Sequence, residues 1–198
     1  MVSKEFPFSV LEAIDGVGKS TITKLLGSEL GAIIYASPPE PFRSFRRYFN
    51  GADPRLRFLF YLSANIYAGE MVKRWVKDQP VIGDRYLLST LSAHEARGVP
   101  KRWFLLLNPI IKRAFPPDHT FLLDCEEDER LRRLKQRGLD EVDRENLGLG
   151  LGQKLFEGYQ RWAEQLGYKI VKVDTTHLSP EEVKDEIASV ILLDYPPK

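Results

Sequence analysis

Short apolar runs recur along this chain, and sequence compatible with a helix follows each of them. The runs are FPFSVLEA at 6–13, GAIIYA at 31–36, PVIGD at 80–84, TFLLDC at 120–125 and YKIVKVD at 168–174. Runs this short, rich in β-branched and aromatic residues, read as strands. KSTITKLLGSEL and PRLRFLFYLSANIYAGEMVKRWVKD read as helices, and PFRSFRRYF as a short one. Strands that alternate with helices are joined by right-handed crossovers, so they pair in parallel and take helices on both faces. The expectation is an α/β three-layer sandwich with a central parallel sheet of about five strands. The 198 residues suit a single domain spanning 1–198.

Ligands of such sheets gather beyond the carboxyl ends of the strands. Asp15 to Ser20 follow the first run, Glu40 follows the second, and Asp84 and Arg85 close the third. The stretch AIDGVGKST, Ala13 to Thr21, is therefore well placed. It matches G-x-x-x-x-G-K-[ST] except that alanine stands at the first glycine. That position leaves the strand, and one extra methyl is tolerable there unless φ must be positive. Gly16 and Gly18 can take positive φ and let backbone N–H groups, that of Val17 among them, close around a phosphate. The helix starting near Lys19 aims its positive dipole end at the same anion. Lys19 can reach the terminal phosphates of a nucleotide, and the Ser20 hydroxyl can ligate Mg²⁺ beside Thr21. The fold expected is thus a P-loop sandwich.

Other features narrow the class. Apolar residues make up 43% and charged ones 29%, with a net charge of +1, so nucleic acid is not expected as a partner. The single cysteine, Cys125, allows no internal disulfide and reads as a core thiol, which fits a reducing cytoplasm. No apolar run reaches the roughly 18 residues of a membrane span. His94, His119 and His177 lack metal-ligand spacing. KQRGLDEVDRENLGLGLG is charged, glycine-bearing and set between two helices, so it reads as a surface loop or a mobile lid over about 137–150. RSFRRYFNGADPRLRF carries five arginines. It reads as a solvated helix face, as a wall for an acceptor phosphate with Arg43 foremost, or as a nucleic-acid patch.

Taken together, LEAIDGVGKST, Pro39-Glu40-Pro41, Leu59-Phe60, DRYLLST at 84–90, PPDHTFLLDCEEDERLRRLKQRG at 116–138 and VDTTHLSPEEVKDEI resemble the thymidylate kinase family. The resemblance spans nearly the whole chain. It implies ATP- and Mg²⁺-dependent transfer of a phosphoryl group to a nucleoside monophosphate, most simply dTMP. It places Arg85 at the acceptor phosphate, Asp15 near the acceptor sugar and Asp84 near the metal. Glu40, Phe60, Ser89 and Thr90 fall in its acceptor site. Some members carry a catalytic arginine directly after the P-loop aspartate, where this chain has Gly16. Members of the other kind draw it from the lid, and here Arg133 and Arg137 share one helical face.

Three departures concern the acceptor. The long helix lacks the family's base-reading arginine and offers Ser63 and Asn65 near that position. Ala93, followed by His94, stands where a tyrosine often packs on the deoxyribose. Pro39 replaces a frequent arginine. A kinase of nucleosides or other small acceptors is one alternative reading, and a nucleotide-binding regulatory protein derived from a kinase is another. Small nucleotides are the expected partners, and a homodimer is compatible with the sequence.

Overall fold

The computed structural model describes residues 4–139, 144, 146–147 and 150–196. Five strands form one sheet: β1 (Phe8–Ala13), β2 (Ile33–Ala36), β3 (Val81–Asp84), β4 (His119–Asp124) and β5 (Ile170–Asp174), in the order β2-β3-β1-β4-β5. Every pairing is parallel. Connections leave β1 and β4 in opposite directions, the arrangement that opens a crevice at the strands' carboxyl ends. All six residues of β1 are buried, as a central strand covered on both faces requires.

The helices are α1 (Lys19–Glu29), α2 (Arg46–Asn50), α3 (Pro54–Trp75), α4 (Leu87–Ala96), α5 (Lys101–Ile111), α6 (Glu127–Arg137), α7 (Leu151–Leu166) and α8 (Pro180–Asp194). They fall into two packed groups, α1 with α8, and α3, α4, α5 and α7 among themselves. Local chemistry explains several boundaries. Asp53 caps α3 ahead of Pro54, and Ser179 and Glu182 form a reciprocal capping box on α8. The stretch expected as one helix over 41–49 divides into a 3₁₀ turn, Phe42–Phe45, and the short α2. Cys125 lies in the core just past β4.

The expected lid over 137–150 lies partly outside the described residues, at 140–143, 145 and 148–149. No helix among the described residues is long and apolar enough to cross a membrane.

Candidate active site

The loop between β1 and α1 is shaped by its glycines. Gly16 and Gly18 have φ of 98° and 90°. A Cβ on Gly16 would lie 2.7 Å from Leu134 Cγ and 3.1 Å from the Arg130 carbonyl oxygen, so α6 rests directly on the loop. Ala13 ends β1 fully buried, without positive φ, so its methyl costs the loop nothing. No side chain caps α1 at Gly18, an arrangement that suits an anion at the helix start. Lys19 is buried and pairs with Asp84 at the end of β3. Burial, reinforced by the like charge of Arg85, lowers its ammonium to about 7. A cavity of about 560 Å³ opens over Gly18, Lys19, Ser20 and Thr21, facing Asp84, Arg85, Arg133 and Arg137. Arg43 lies at its rim, 3.8 Å from the exposed Glu40. Glu40 itself lines neither this cavity nor the next.

A smaller cavity of about 140 Å³ adjoins it. The two share Asp15, Ser37, Arg46 and Arg85, which therefore mark the junction. Arg85 is held there on several sides. Its Nη1 donates to the Ala13 carbonyl at 2.6 Å and to Tyr159 Oη at 3.2 Å, and its Nη2 to Asp15 Oδ1 at 2.5 Å. Burial works against the Asp15 carboxylate, but Arg85, a 2.8 Å hydrogen bond from Asn146 and the charges of Lys19 and Arg137 bring its pKa below the usual range.

The far end of the small cavity is lined by Arg57, Tyr61, Thr90, Ala93, His94 and Arg97. Guanidinium groups only donate hydrogen bonds. Arg97 also donates to Asn146 Oδ1 at 2.6 Å, which links this end through Asn146 to Asp15. The ring of His94 is buried, with Nδ1 2.6 Å from the Thr90 carbonyl. A carbonyl only accepts, so Nδ1 carries the hydrogen and Nε2 the lone pair.

Other expected site residues stand apart. Asn65 is fully buried behind Thr90, donating to its hydroxyl at 2.7 Å, and does not line the cavity. Phe60 stacks on Phe49 at 4.3 Å in an apolar surface groove that it shares with Ser63. Ser89 lines the small cavity, but its hydroxyl donates to Glu12. Arg133 borders the phosphate cavity yet is tied elsewhere, donating to the Thr175 carbonyl at 2.7 Å and to Glu129 at 2.7 Å. A further cleft runs from Gly18 and Thr21 to Arg132, Arg133 and the 175–180 turn.

Sequence reasoning passed over Glu12, Arg97, Asn146 and Tyr159, and carried Arg57 only as one of the five arginines of RSFRRYFNGADPRLRF. Of the four passed over, Glu12 left a signal, as a charge inside an otherwise apolar strand. Tyr159 reaches Arg85 across a separation of 74 residues, which no local pattern reports.

Among the described residues no cluster of three or more His, Cys, Asp or Glu side chains could hold a metal ion. The Ser20 and Asp84 oxygens facing the phosphate cavity suit a hard cation that takes its remaining ligands from phosphate and water.

The family profile described as thymidylate kinase matches residues 11–187. A protein of Methanocaldococcus jannaschii named "Probable thymidylate kinase" is 30% identical over 185 residues, covering 91% of this chain and 93% of its own. A protein of Pyrococcus abyssi with the same name is 32% identical, covering 93% and 95%. The thymidylate kinase of Coprothermobacter proteolyticus is 31% identical, covering 94% and 99%. The fold is shared with the solved thymidylate kinase of Candida albicans, at a TM-score of 0.79 and 16% identity over 97% of this chain and 93% of that one.

Proposed function

The chain belongs to the thymidylate kinase family, and from that premise we propose that it transfers the γ-phosphoryl group of ATP to dTMP, giving dTDP. One observation carries the mechanism. The small cavity adjoins the phosphate cavity at Asp15, Ser37, Arg46 and Arg85, which line both, so a phosphate at that junction would lie beside one in the larger cavity. Phosphoryl transfer needs alignment and charge neutralisation more than a protein nucleophile. The loop N–H groups and Lys19 hold the donor phosphates, whose negative charge opposes the burial and the like charge of Arg85 that lower the Lys19 ammonium. Arg85, fixed by Ala13, Asp15 and Tyr159, grips the acceptor phosphate with a preorganised fork. Magnesium, held by Ser20 and Asp84, would supply further neutralisation of phosphate oxygens. Arg137 faces the same space and meets the charge that Gly16 leaves unanswered within the loop.

The far end supports selection by the base. Arg57 and Arg97 offer donors, which suit the two carbonyls of thymine or uracil and leave the amino group of cytosine unanswered. Ala93 leaves room beside the sugar, so a ribose is accommodated. A nucleoside would bring no phosphate to Arg85 and Arg46 at the junction of the two cavities, which disfavours the nucleoside kinase. A mere binding protein has no use for cations on both sides of one cavity. We assign the protein to the cytoplasm, where its lone thiol stays reduced.

Initial rates on dTMP, dUMP, UMP, dCMP, CMP and thymidine at equal concentration test the reading. The expected order has dTMP first, dUMP and UMP measurable, and the cytosine nucleotides slowest. Faster turnover of thymidine than of every monophosphate would show that Arg85 holds no acceptor phosphate. Absence of any product would favour the regulatory reading.

A further inference from the structure

The strand that leads into the phosphate loop ends next to a single charged side chain, Glu12, which has 0% exposure. A carboxylate that deep is tolerated only where donors surround it. Its hydrogen-bond donors, on Tyr86 and Ser89, sit at the start of α4. Oε1 accepts the backbone N–H of Tyr86 at 3.0 Å and of Ser89 at 3.3 Å, and Oε2 accepts the Ser89 hydroxyl. Tyr86 is the N-cap of α4 and supplies no side-chain cap of its own. Glu12 therefore fills the capping role from another element: it satisfies N–H groups that have no intrahelical partner and sets negative charge at the positive end of the helix.

The residue immediately before this cap is Arg85, with φ of 67°. Residues with a side chain rarely adopt that region and keep it only where the surroundings over-determine it. The Arg85 N–H donates to the Leu11 carbonyl at 3.1 Å, and the Arg85 carbonyl accepts from Tyr35 Oη at 3.2 Å. The next N–H, that of Tyr86, donates to the Glu12 carboxylate. Burial pushes the Glu12 carboxyl up, against the pull of Ser89 and Arg85.

We propose that Glu12 is a positioning residue for the acceptor phosphate: its carboxylate caps α4 from β1 and holds the β3–α4 turn in the conformation that presents the Arg85 guanidinium. The proposal rests on the assignment of Arg85 given above. Its consequence is a coupling that a general structural role would not produce. Loss of the Glu12 charge should weaken the acceptor, spare ATP, and matter only while Arg85 is present.

The test is a double-mutant cycle of Glu12→Gln and Arg85→Ala, reading KM for dTMP, KM for ATP, kcat and thermal melting. Glu12→Gln is expected to raise KM for dTMP about tenfold, the effect of losing one charged hydrogen-bond partner, with KM for ATP within about twofold. In the Arg85→Ala background the same substitution should change KM for dTMP by less than about twofold. Equal effects on dTMP and ATP, or a full effect persisting without Arg85, would overturn the proposal. If Arg85→Ala is damaging while Glu12→Gln is silent, only the Glu12 link falls. If Arg85→Ala itself leaves dTMP untouched, the phosphate assignment falls and this proposal with it. Should Glu12→Gln fail to fold, Glu12→Asp in the two backgrounds asks the same question, since the shorter side chain withdraws the carboxylate from the Tyr86 and Ser89 N–H groups.

Discussion

His94 illustrates what burial does to one side chain. Its pKa is lowered to about 4 because burial disfavours the imidazolium, with Arg57 and Arg97 adding to the effect against the Thr90 carbonyl. The unfolded chain takes up a proton below about pH 6.5 that the folded protein refuses until about pH 4, so stability from this residue is complete at neutral pH and lost as pH falls through that window. The loss reaches about 3 kcal/mol at the bottom of the window, an order-of-magnitude figure. Melting temperatures of the wild type and of His94→Gln, taken between about pH 7 and about pH 4.5, check this. The variant should lose less on acidification. Identical slopes would place the acid sensitivity elsewhere.

At the scale of elements, α6 is the part that divides its work. Its first turns are anchored to the loop and to the turn after β5, through Arg130 to the Asp15 carbonyl at 3.0 Å and Arg133 to the Thr175 carbonyl at 2.7 Å. Arg137, one turn further along the same face, borders the phosphate cavity. The two arginines should therefore fail differently. Arg133→Ala is expected to raise KM for ATP several-fold, because it unties the turn after β5 from α6 beside the phosphate loop. Arg137→Ala is expected to lower kcat by about 100-fold while ATP affinity holds, as loss of a donor aimed at transition-state charge does. Steady-state kinetics of each variant decide the matter. Unchanged turnover in both single variants and in the double one would remove α6 from the chemistry.

Across the whole molecule, cavities and core belong to one sheet. The buried apolar residues form one continuous cluster from Phe8 in β1 to Ile191 in α8. Both cavities include residues just beyond the strands of that same sheet, Asp15, Ser37 and Arg85. We therefore expect a single cooperative unfolding transition. ATP and dTMP should each shift it upward without splitting it, by about 2.7 kcal/mol at a hundredfold excess over Kd. Calorimetry with and without each nucleotide measures this. Two separable transitions, only one of them sensitive to nucleotide, would refute the one-domain organisation.

Local sequence determined what local physics controls. Apolar runs and helical spacing were enough for the parallel sheet, because period and length alone distinguish strands from helices. The phosphate loop was legible because its glycines, lysine and serine act within a few residues of one another. The place of Arg85 just past β3 was legible in the apolar run before it, whereas its acceptor role is a proposal. Tertiary structure alone decided which side chains share the acceptor cavity. Asn65 and Phe60 lie on the same helix as Arg57, yet the rotation of α3 turns Asn65 behind Thr90, Phe60 to the outer groove and Arg57 inward. Glu12 acquires its role only when β1 is brought against the start of α4, and Tyr159 only when α7 lies across both. Such contacts depend on the relative placement of elements far apart in the chain, and no periodicity or spacing encodes that placement directly.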